Sequence, residues 1–430
     1  VRRFACALLL GTAVLGACAP RPAGRAFQPI NPDAAVLWDR QTTETAELLR
    51  NIADEFNRSH AGLPVKIERG GSYTDIYRKT MASLQAGKLP AMAVSYESMT
   101  AEYIAAGAAA PLDDYLRDPE LGFTPEERDD FFPVMLETNR FSDFGGKMYS
   151  FPYTKSVLLM YYNKELLVQA RLEAPPQTWE EFIAACRAIK THTGRPPFAA
   201  AVDASTLNAI IFSMGGRLHE GHRTLFDAPP AIAALELYET LAREQLCYQI
   251  TPGTFDDQLA LAAGQAAFTL RTSSGIAYMA QNAGADGTRW AATRIPQADP
   301  ARPATVLFGA NVTLFNTTPE QQRSAWAFIR YFTSPEVNIR WSLGTGYLPL
   351  RRSAAQSPQM QEAWKKMPSN KAAFDCLPFA LPEPNLAGWQ EVRTLLERTQ
   401  SEVLAGVKTG RAAALELKQK ADAALARASS

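Results

Sequence analysis

The sequence predicts an α/β fold built around a largely parallel sheet, in a chain long enough for two domains. Short apolar runs with strand character alternate with segments whose apolar residues recur at helical spacing, the signature of strand–helix–strand units. At 430 residues the chain exceeds what a single hydrophobic core serves well. Its 47% apolar content is ordinary for a globular protein.

The elements follow in order. Arg2 and Arg3 precede an apolar run that ends in Leu15-Gly16-Ala17-Cys18. Residues 1–17 read as a secretory signal peptide with a lipoprotein cleavage box, and Cys18 as the lipidated first residue of the mature chain. An ordinary signal peptide is the plainer alternative. Residues 18–33 read as a flexible, Pro- and Ala-rich tether. A strand is expected at 34–38. A helix follows at 43–56, where Leu48, Leu49, Ile52, Ala53 and Phe56 share a face. Strand 65–68, helix 73–86, buried strand 91–96 and helix 101–107 continue the alternation. After an apolar strand at 157–162 come amphipathic helices at 179–191 and 231–244, the second introduced by Pro229-Pro230. Strands are expected at 266–270 and 306–315, and residues 386–426 read as helical almost throughout.

Charge and motifs narrow the function. Lys and Arg number 44 and Asp and Glu also 44, so the net charge is zero, and −2 once Arg2 and Arg3 are removed. That offers no basic footprint for nucleic acid. No segment after the leader is long and apolar enough to span a membrane. His219-Glu220-Gly221-His222 lacks zinc-helix spacing and reads as a solvated loop, so no metal is expected. There is no Gly-x-Ser-x-Gly elbow and no phosphate loop of the Walker type. Asp113-Asp114 and Asp129-Asp130 are adjacent, as in turns, instead of facing as a catalytic pair would. Of the five cysteines, Cys6 leaves with the leader and Cys18 is lipidated. Cys247–Cys376 is one bridge open to an oxidising compartment, and Cys186 on an apolar helical face reads as a buried small hydrophobe.

Three segments carry a family resemblance. These are Tyr161-Tyr162-Asn163-Lys164-Glu165-Leu166 with Pro175-Pro176-Gln177-Thr178-Trp179-Glu180-Glu181-Phe182, then Pro111-Leu112-Asp113-Asp114-Tyr115-Leu116, then Thr345-Gly346-Tyr347-Leu348-Pro349. Over residues 34–428 the chain resembles the extracellular solute-binding proteins of ATP-driven importers. Within them it is most similar to the glycerol-3-phosphate and glycerophosphodiester-binding subgroup, through Gly71-Ser72-Tyr73, Ser95-Tyr96-Glu97, Thr272-Ser273-Ser274-Gly275, Gly309 and Gly346-Tyr347. The resemblance implies a type II periplasmic-binding-protein fold: two α/β lobes, each with a central sheet flanked by helices, and a hinge crossed three times. The crossings are expected near 153–156, 306–309 and 344–347. Residues 34–153 with 308–345 would form the N-terminal lobe, and 156–305 with 347–428 the C-terminal lobe.

The same resemblance implies Tyr73, Glu97, Ser156, Ser274, Gly309 and Tyr347 as ligand contacts. Trp38, Asp39, Arg40, Ser273, Asn311 and Asn385 are secondary candidates. The chemistry is coherent. Carboxylate and hydroxyl groups pair with a polyol, and Ser273-Ser274-Gly275 opens a helix suited to phosphate. The chain also departs from the subgroup. Asn385 stands where the relatives carry a phosphate-pairing arginine, and Val202 and Ser205 stand near two cleft tryptophans. Arg40 is one replacement for the charge, and a neutral glycerol-bearing or sugar ligand suits its loss. The function implied is a non-enzymatic, cofactor-free binding lipoprotein outside the cytoplasm. It would be monomeric and would deliver a glycerol phosphate, a glycerophosphodiester or a sugar to a membrane permease served by a separate ATPase. A secreted sensor or scaffold on the same fold, and a secreted hydrolase, remain the alternatives.

Overall fold

The computed structural model describes residues 26–251 and 254–429. The expected leader, Cys18 and the first part of the tether lie outside the described residues. The later tether is ordered. Phe27 is buried and donates its N–H to Asn316 O, and Gln28–Pro29 pairs in parallel with Lys88–Leu89.

Two mixed sheets organise the chain. The first has five strands in the order Val65–Arg69, Ala35–Asp39, Met92–Ser95, Asn311–Leu314, Ser150–Pro152. The second runs Cys247–Gln249, Phe198–Ala200, Phe268–Thr272, Ser156–Asn163, Thr305–Phe308, Ala380–Leu381, with Trp290–Arg294 also paired to Ser156–Asn163. The expectation of largely parallel sheets is corrected here. Every antiparallel pairing in the two sheets involves either Ser156–Asn163 or Asn311–Leu314. These are the strands laid down just after the chain crosses between sheets. They enter from the edge where the parallel strands end, and so run against them.

Local chemistry explains the helices. Helix Thr43–Ser59 buries Leu49, Ile52, Ala53 and Phe56. Helices Tyr73–Gln85 and Trp179–Thr193 begin with capping boxes, Ser72 with Asp75 and Thr178 with Glu181. The helix expected at 101–107 starts earlier, as Glu97–Ala105. Seven of its residues are buried, so it shows little of the polar face that marks a helix in sequence. The expected strand at 266–270 begins later, at Phe268, because Ala266 donates its N–H to the carbonyl of Ala260 in helix Asp256–Ala262. The C-terminal helical stretch is two helices, Trp389–Leu404 and Gly410–Ser429.

The expected strand at 306–315 is two strands that belong to different sheets. They part at Gly309, whose φ is +101° and where a Cβ would stand 2.0 Å from Thr154 O. No L side chain fits that approach. The first crossing spans 153–155, between Ser150–Pro152 and Ser156–Asn163, and the second is Gly309-Ala310. After helix Pro335–Thr345 the chain does not cross at once. Helices Arg352–Gln356 and Pro358–Lys366 pack on it, Arg351 pairs with Asp130, and only helix Pro368–Asp375 reaches Trp290–Arg294.

Packing is aromatic in both halves. Phe123, Phe131, Phe151 and Trp326 interlock beside the first sheet, and Phe182, Phe198 and Phe268 beside the second. Cys186, Cys247 and Cys376 are all free, so the open Cys247–Cys376 bridge is not formed. His219–Glu220 and Arg223–Thr224 form a small hairpin, with His222 3.3 Å from Asp143. Among the described residues no helix is long and apolar enough to cross a membrane.

Candidate functional site

The parallel strands of the first sheet end on the face that meets the second half of the molecule, and the candidate side chains gather there. Strand Ala35–Asp39 delivers Asp39 and then Arg40. Asp39 is 2% exposed; its Oδ1 accepts the Gln41 N–H at 2.6 Å, and its Oδ2 has no partner. Burial pushes its carboxyl up to about 6, against the pull of the Gln41 N–H and Arg40. The Arg40 guanidinium lies 4.9 Å from the centre of the Tyr73 ring, and Tyr73 packs on Tyr96 at 4.4 Å. Burial raises the Tyr73 phenol, and Tyr347 raises it further. Asp39, Arg40 and Tyr347 each lie within electrostatic reach of Tyr73, and Tyr153 within reach of Asp39, Tyr73 and Tyr347. The Tyr153 hydroxyl is buried without a partner. Tyr347 stacks on Trp341 at 6.2 Å.

The opposite wall comes from the second half. Arg393, on helix Trp389–Leu404, is 5% exposed. Its NH1 donates to both oxygens of Glu383, each at 2.7 Å, and to Ser205 Oγ at 2.9 Å. The guanidinium lies 4.5 Å from the centre of the Tyr96 ring, on which Tyr73 also packs. Burial works against its charge, but Glu383, Tyr96, Asp203 and Glu397 outweigh that and push its pKa up. Ser274 precedes helix Gly275–Ala283 and exchanges a 2.6 Å hydroxyl bond with Thr272.

The crossing segments form the floor. Glu97 Oε1 takes hydrogen bonds from Lys155 Nζ at 3.0 Å, Asn311 Nδ2 at 2.9 Å and Thr138 Oγ1 at 2.8 Å. Burial pushes this carboxyl up, yet Lys155 and Asn311 prevail and hold it below its ordinary value. Lys155 also donates to Gly309 O at 3.4 Å. Ser156 is buried opposite Phe308 in the adjoining ladder.

The structure thus brings Asp39, Arg40, Tyr73 and Tyr347 together, with Ser156, Gly309 and Asn311 at the crossings and Glu97 at the start of helix Glu97–Ala105. Glu97 is already bonded to both Asn311 and Lys155. Three secondary candidates point elsewhere. Trp38 lies under Lys79 at 3.8 Å and donates to Glu68. Ser273 Oγ accepts the Val157 N–H at 3.3 Å. Asn385 Nδ2 donates to Arg140 O at 2.7 Å, outside the cluster. Sequence reasoning missed Arg393, Tyr96, Lys155 and Glu383. A signal for Arg393 exists: it interrupts the buried stripe of Trp389, Val392, Leu396 and Val403, and a charge on an apolar face needs a buried partner.

Three comparisons complete the description. Residues 51–369 match the family described as bacterial extracellular solute-binding protein. The sn-glycerol-3-phosphate-binding periplasmic protein UgpB of Rhizobium meliloti (strain 1021) is 22% identical over 425 residues, 94% of this chain and 96% of that one. The Yersinia pseudotuberculosis protein of the same name is 23% identical over 88% of this chain and 89% of its own length. Among solved structures, UgpB from Mycobacterium tuberculosis in complex with glycerophosphocholine superposes with a TM-score of 0.81 at 21% identity, over 92% of this chain and 98% of that one. The acarbose-binding GacH receptor of Streptomyces glaucescens gives 0.78 at 18% identity, over 93% and 99%.

Proposed function

The chain belongs to the bacterial extracellular solute-binding proteins, and from that membership we propose that it captures a phosphate-bearing glycerol, as a glycerol phosphate or glycerophosphodiester, between its two lobes. It acts outside the cytoplasm, binds a small molecule without turning it over, and serves an ATP-driven permease. Lipid attachment at Cys18 and a monomeric state belong to the same proposal.

Arg393 is the observation that carries the ligand class. It uses one terminal nitrogen on Glu383 and Ser205, while the guanidinium lies by Tyr96, a ring that packs on Tyr73 beside Arg40. An arginine held that way offers its remaining N–H edge to an oxyanion. The charge missing at Asn385 is therefore supplied from elsewhere on the C-terminal helices. Asp39 Oδ2 and the Tyr153 hydroxyl, both buried without partners, suit the hydroxyls of a polyol. Tyr73 and Tyr347 supply the apolar wall, with Ser156, Ser274 and Gly309 at its edge. Glu97 acts through Lys155 and Asn311, holding the floor in place.

Calorimetry of the purified protein against sn-glycerol 3-phosphate, glycerophosphocholine, maltose, trehalose and glycerol tests this. The expected result is binding to the phosphorylated glycerols, weakened about 30-fold in Arg393→Lys, which keeps a cation for Glu383 but loses the planar edge; that is about 2 kcal/mol. Binding confined to maltose or trehalose would overturn the ligand class and leave the transport role.

A further inference from the structure

We propose that Lys155 is a positioning residue for ligand capture: its buried ammonium ties the first two crossings together while its carbonyl holds the Tyr347 segment, so that Tyr347 stands with Tyr73 and Arg40 as one preformed wall. The inference rests on the reading that Tyr347 touches the captured ligand.

Lys155 ends the first crossing and is fully buried. Its Nζ donates to Glu97 Oε1 at 3.0 Å and, in the second crossing, to Gly309 O at 3.4 Å. Asn311, which opens the strand beyond that crossing, donates to the same Glu97 oxygen at 2.9 Å. Lys155, Glu97, Asn311 and Gly309 therefore close a ring that binds both crossings to the start of helix Glu97–Ala105. The backbone repeats the tie, with the Thr154 N–H on Ala310 O at 3.0 Å. The Lys155 carbonyl then accepts the Leu348 N–H at 2.8 Å, in an isolated antiparallel bridge. Leu348 directly follows Tyr347, whose other support is the stack on Trp341.

Stability alone does not call for this arrangement. Burying two charges costs about what their attraction returns, and a well-packed apolar pair serves the fold as well. What the ion pair adds is direction: hydrogen bonds fix Lys155 in register against its partners, and apolar packing does not. The placement also divides the hinge. Up to Lys155 and Gly309, both crossings are bonded to the first half of the molecule. The next residues outward, Ser156 and Phe308, pair with each other in the second sheet. Bending is thereby confined to the links 155–156 and 308–309. Tyr347 stays on the first side of that line, as does the Arg351–Asp130 pair after it. A ligand entering the open molecule meets Tyr73, Arg40 and Tyr347 already assembled, and Arg393 arrives with the second half.

The test replaces the pair, because removing Lys155 alone would strand a buried carboxylate. Lys155→Met with Glu97→Gln keeps both stems and carries no charge. Calorimetry uses the full chain, with sn-glycerol 3-phosphate as probe. We expect the double variant to bind about 10-fold more weakly. That loss should shrink below about 2-fold when the change is made in Tyr347→Ala, and stay near 10-fold in Arg393→Lys. A merely structural role would cost the same in every background. Without ligand, amide exchange at 346–350 should quicken about 10-fold while helix Thr43–Ser59 keeps the rates of the parent. Lys155→Gln, which keeps a donor on a shorter stem, should move the same quantities in the same direction by less, and serves if the double variant does not fold. If the parent binds the probe, and the double variant binds equally well or loses as much in Tyr347→Ala as in the parent, the proposal is overturned and the ligand reading stands. If the parent does not bind the probe, the ligand reading fails and exchange alone decides: quicker exchange at 346–350 supports the proposal, and rates equal to those of the parent refute it.

Discussion

At the scale of single residues, the cluster keeps groups that stability alone would replace. Asp39 is the clearest. Its carboxyl is buried, one oxygen has no partner, and burial holds its pKa near 6 against an ordinary 3.8. Because the folded-state pKa is the higher one, the protonated form suits the folded chain. The contribution of Asp39 to stability is therefore greatest below pH 3.8 and is lost as pH rises through 6. Asp39→Asn should accordingly stabilise the ligand-free protein at pH 7.5, by up to about 3 kcal/mol. The gain should fade as pH falls from 6 to 4, while affinity for a hydroxylated ligand drops. Thermal melts of both proteins across that range check it. An equal gain at pH 4 and 7.5 would show that ionisation of Asp39 is not the cause. Glu97 is the opposite case: its carboxylate is equally buried but takes three hydrogen bonds at Oε1, from Lys155, Asn311 and Thr138, so its ionised form fits the fold.

At the scale of elements, much of the fold was legible and the junctions were not. The helices at Thr43–Ser59, Tyr73–Gln85 and Trp179–Thr193 announce themselves by apolar spacing and capping residues. The family signature Pro175 to Phe182 turns out to be structural: Thr178 and Glu181 form a capping box, and Trp179 Nε1 donates to Ser213 Oγ. Such motifs report the fold and say little about the ligand. Residues 306–315 read as one strand because they are mostly apolar with only Gly309 as a breaker, and the reason for that glycine is Thr154 O, far away in sequence. Arg393 was missed for a similar reason, since its partners Glu383, Ser205 and Tyr96 come from three separate segments. Gly309→Ala should cost more than about 2 kcal/mol, because it combines a positive φ with a backbone clash. Gly406→Ala is the control: its φ is +69° but nothing lies within 4 Å of the added Cβ, so only about 1 kcal/mol is expected. Urea midpoints of the two variants separate crowding at the crossing from backbone preference. Equal losses would remove the special role of Gly309.

At the scale of the whole molecule, the question is whether the two halves act together. Each has its own sheet and its own aromatic packing, and the described links between them include three crossings, polar contacts around the cleft and apolar packing such as Phe132 on Phe374. Polar contacts are individually weak, so the coupling between the halves is expected to grow when something is bound between them. A ligand gripped by Arg40 and Tyr73 on one side and Arg393 on the other does this, because it binds neither half well alone. Its differential affinity for the joined state shifts the balance toward closure. At a hundredfold excess over Kd it should stabilise the bound state by about 2.7 kcal/mol. Differential scanning calorimetry should then show overlapping unfolding transitions for the two halves merging and rising together as ligand is added. A ligand held by one lobe would raise only that lobe's transition and leave the other where it was. That outcome would place the binding groups on a single wall, and Arg393 would have to be reassigned to holding Glu383 alone.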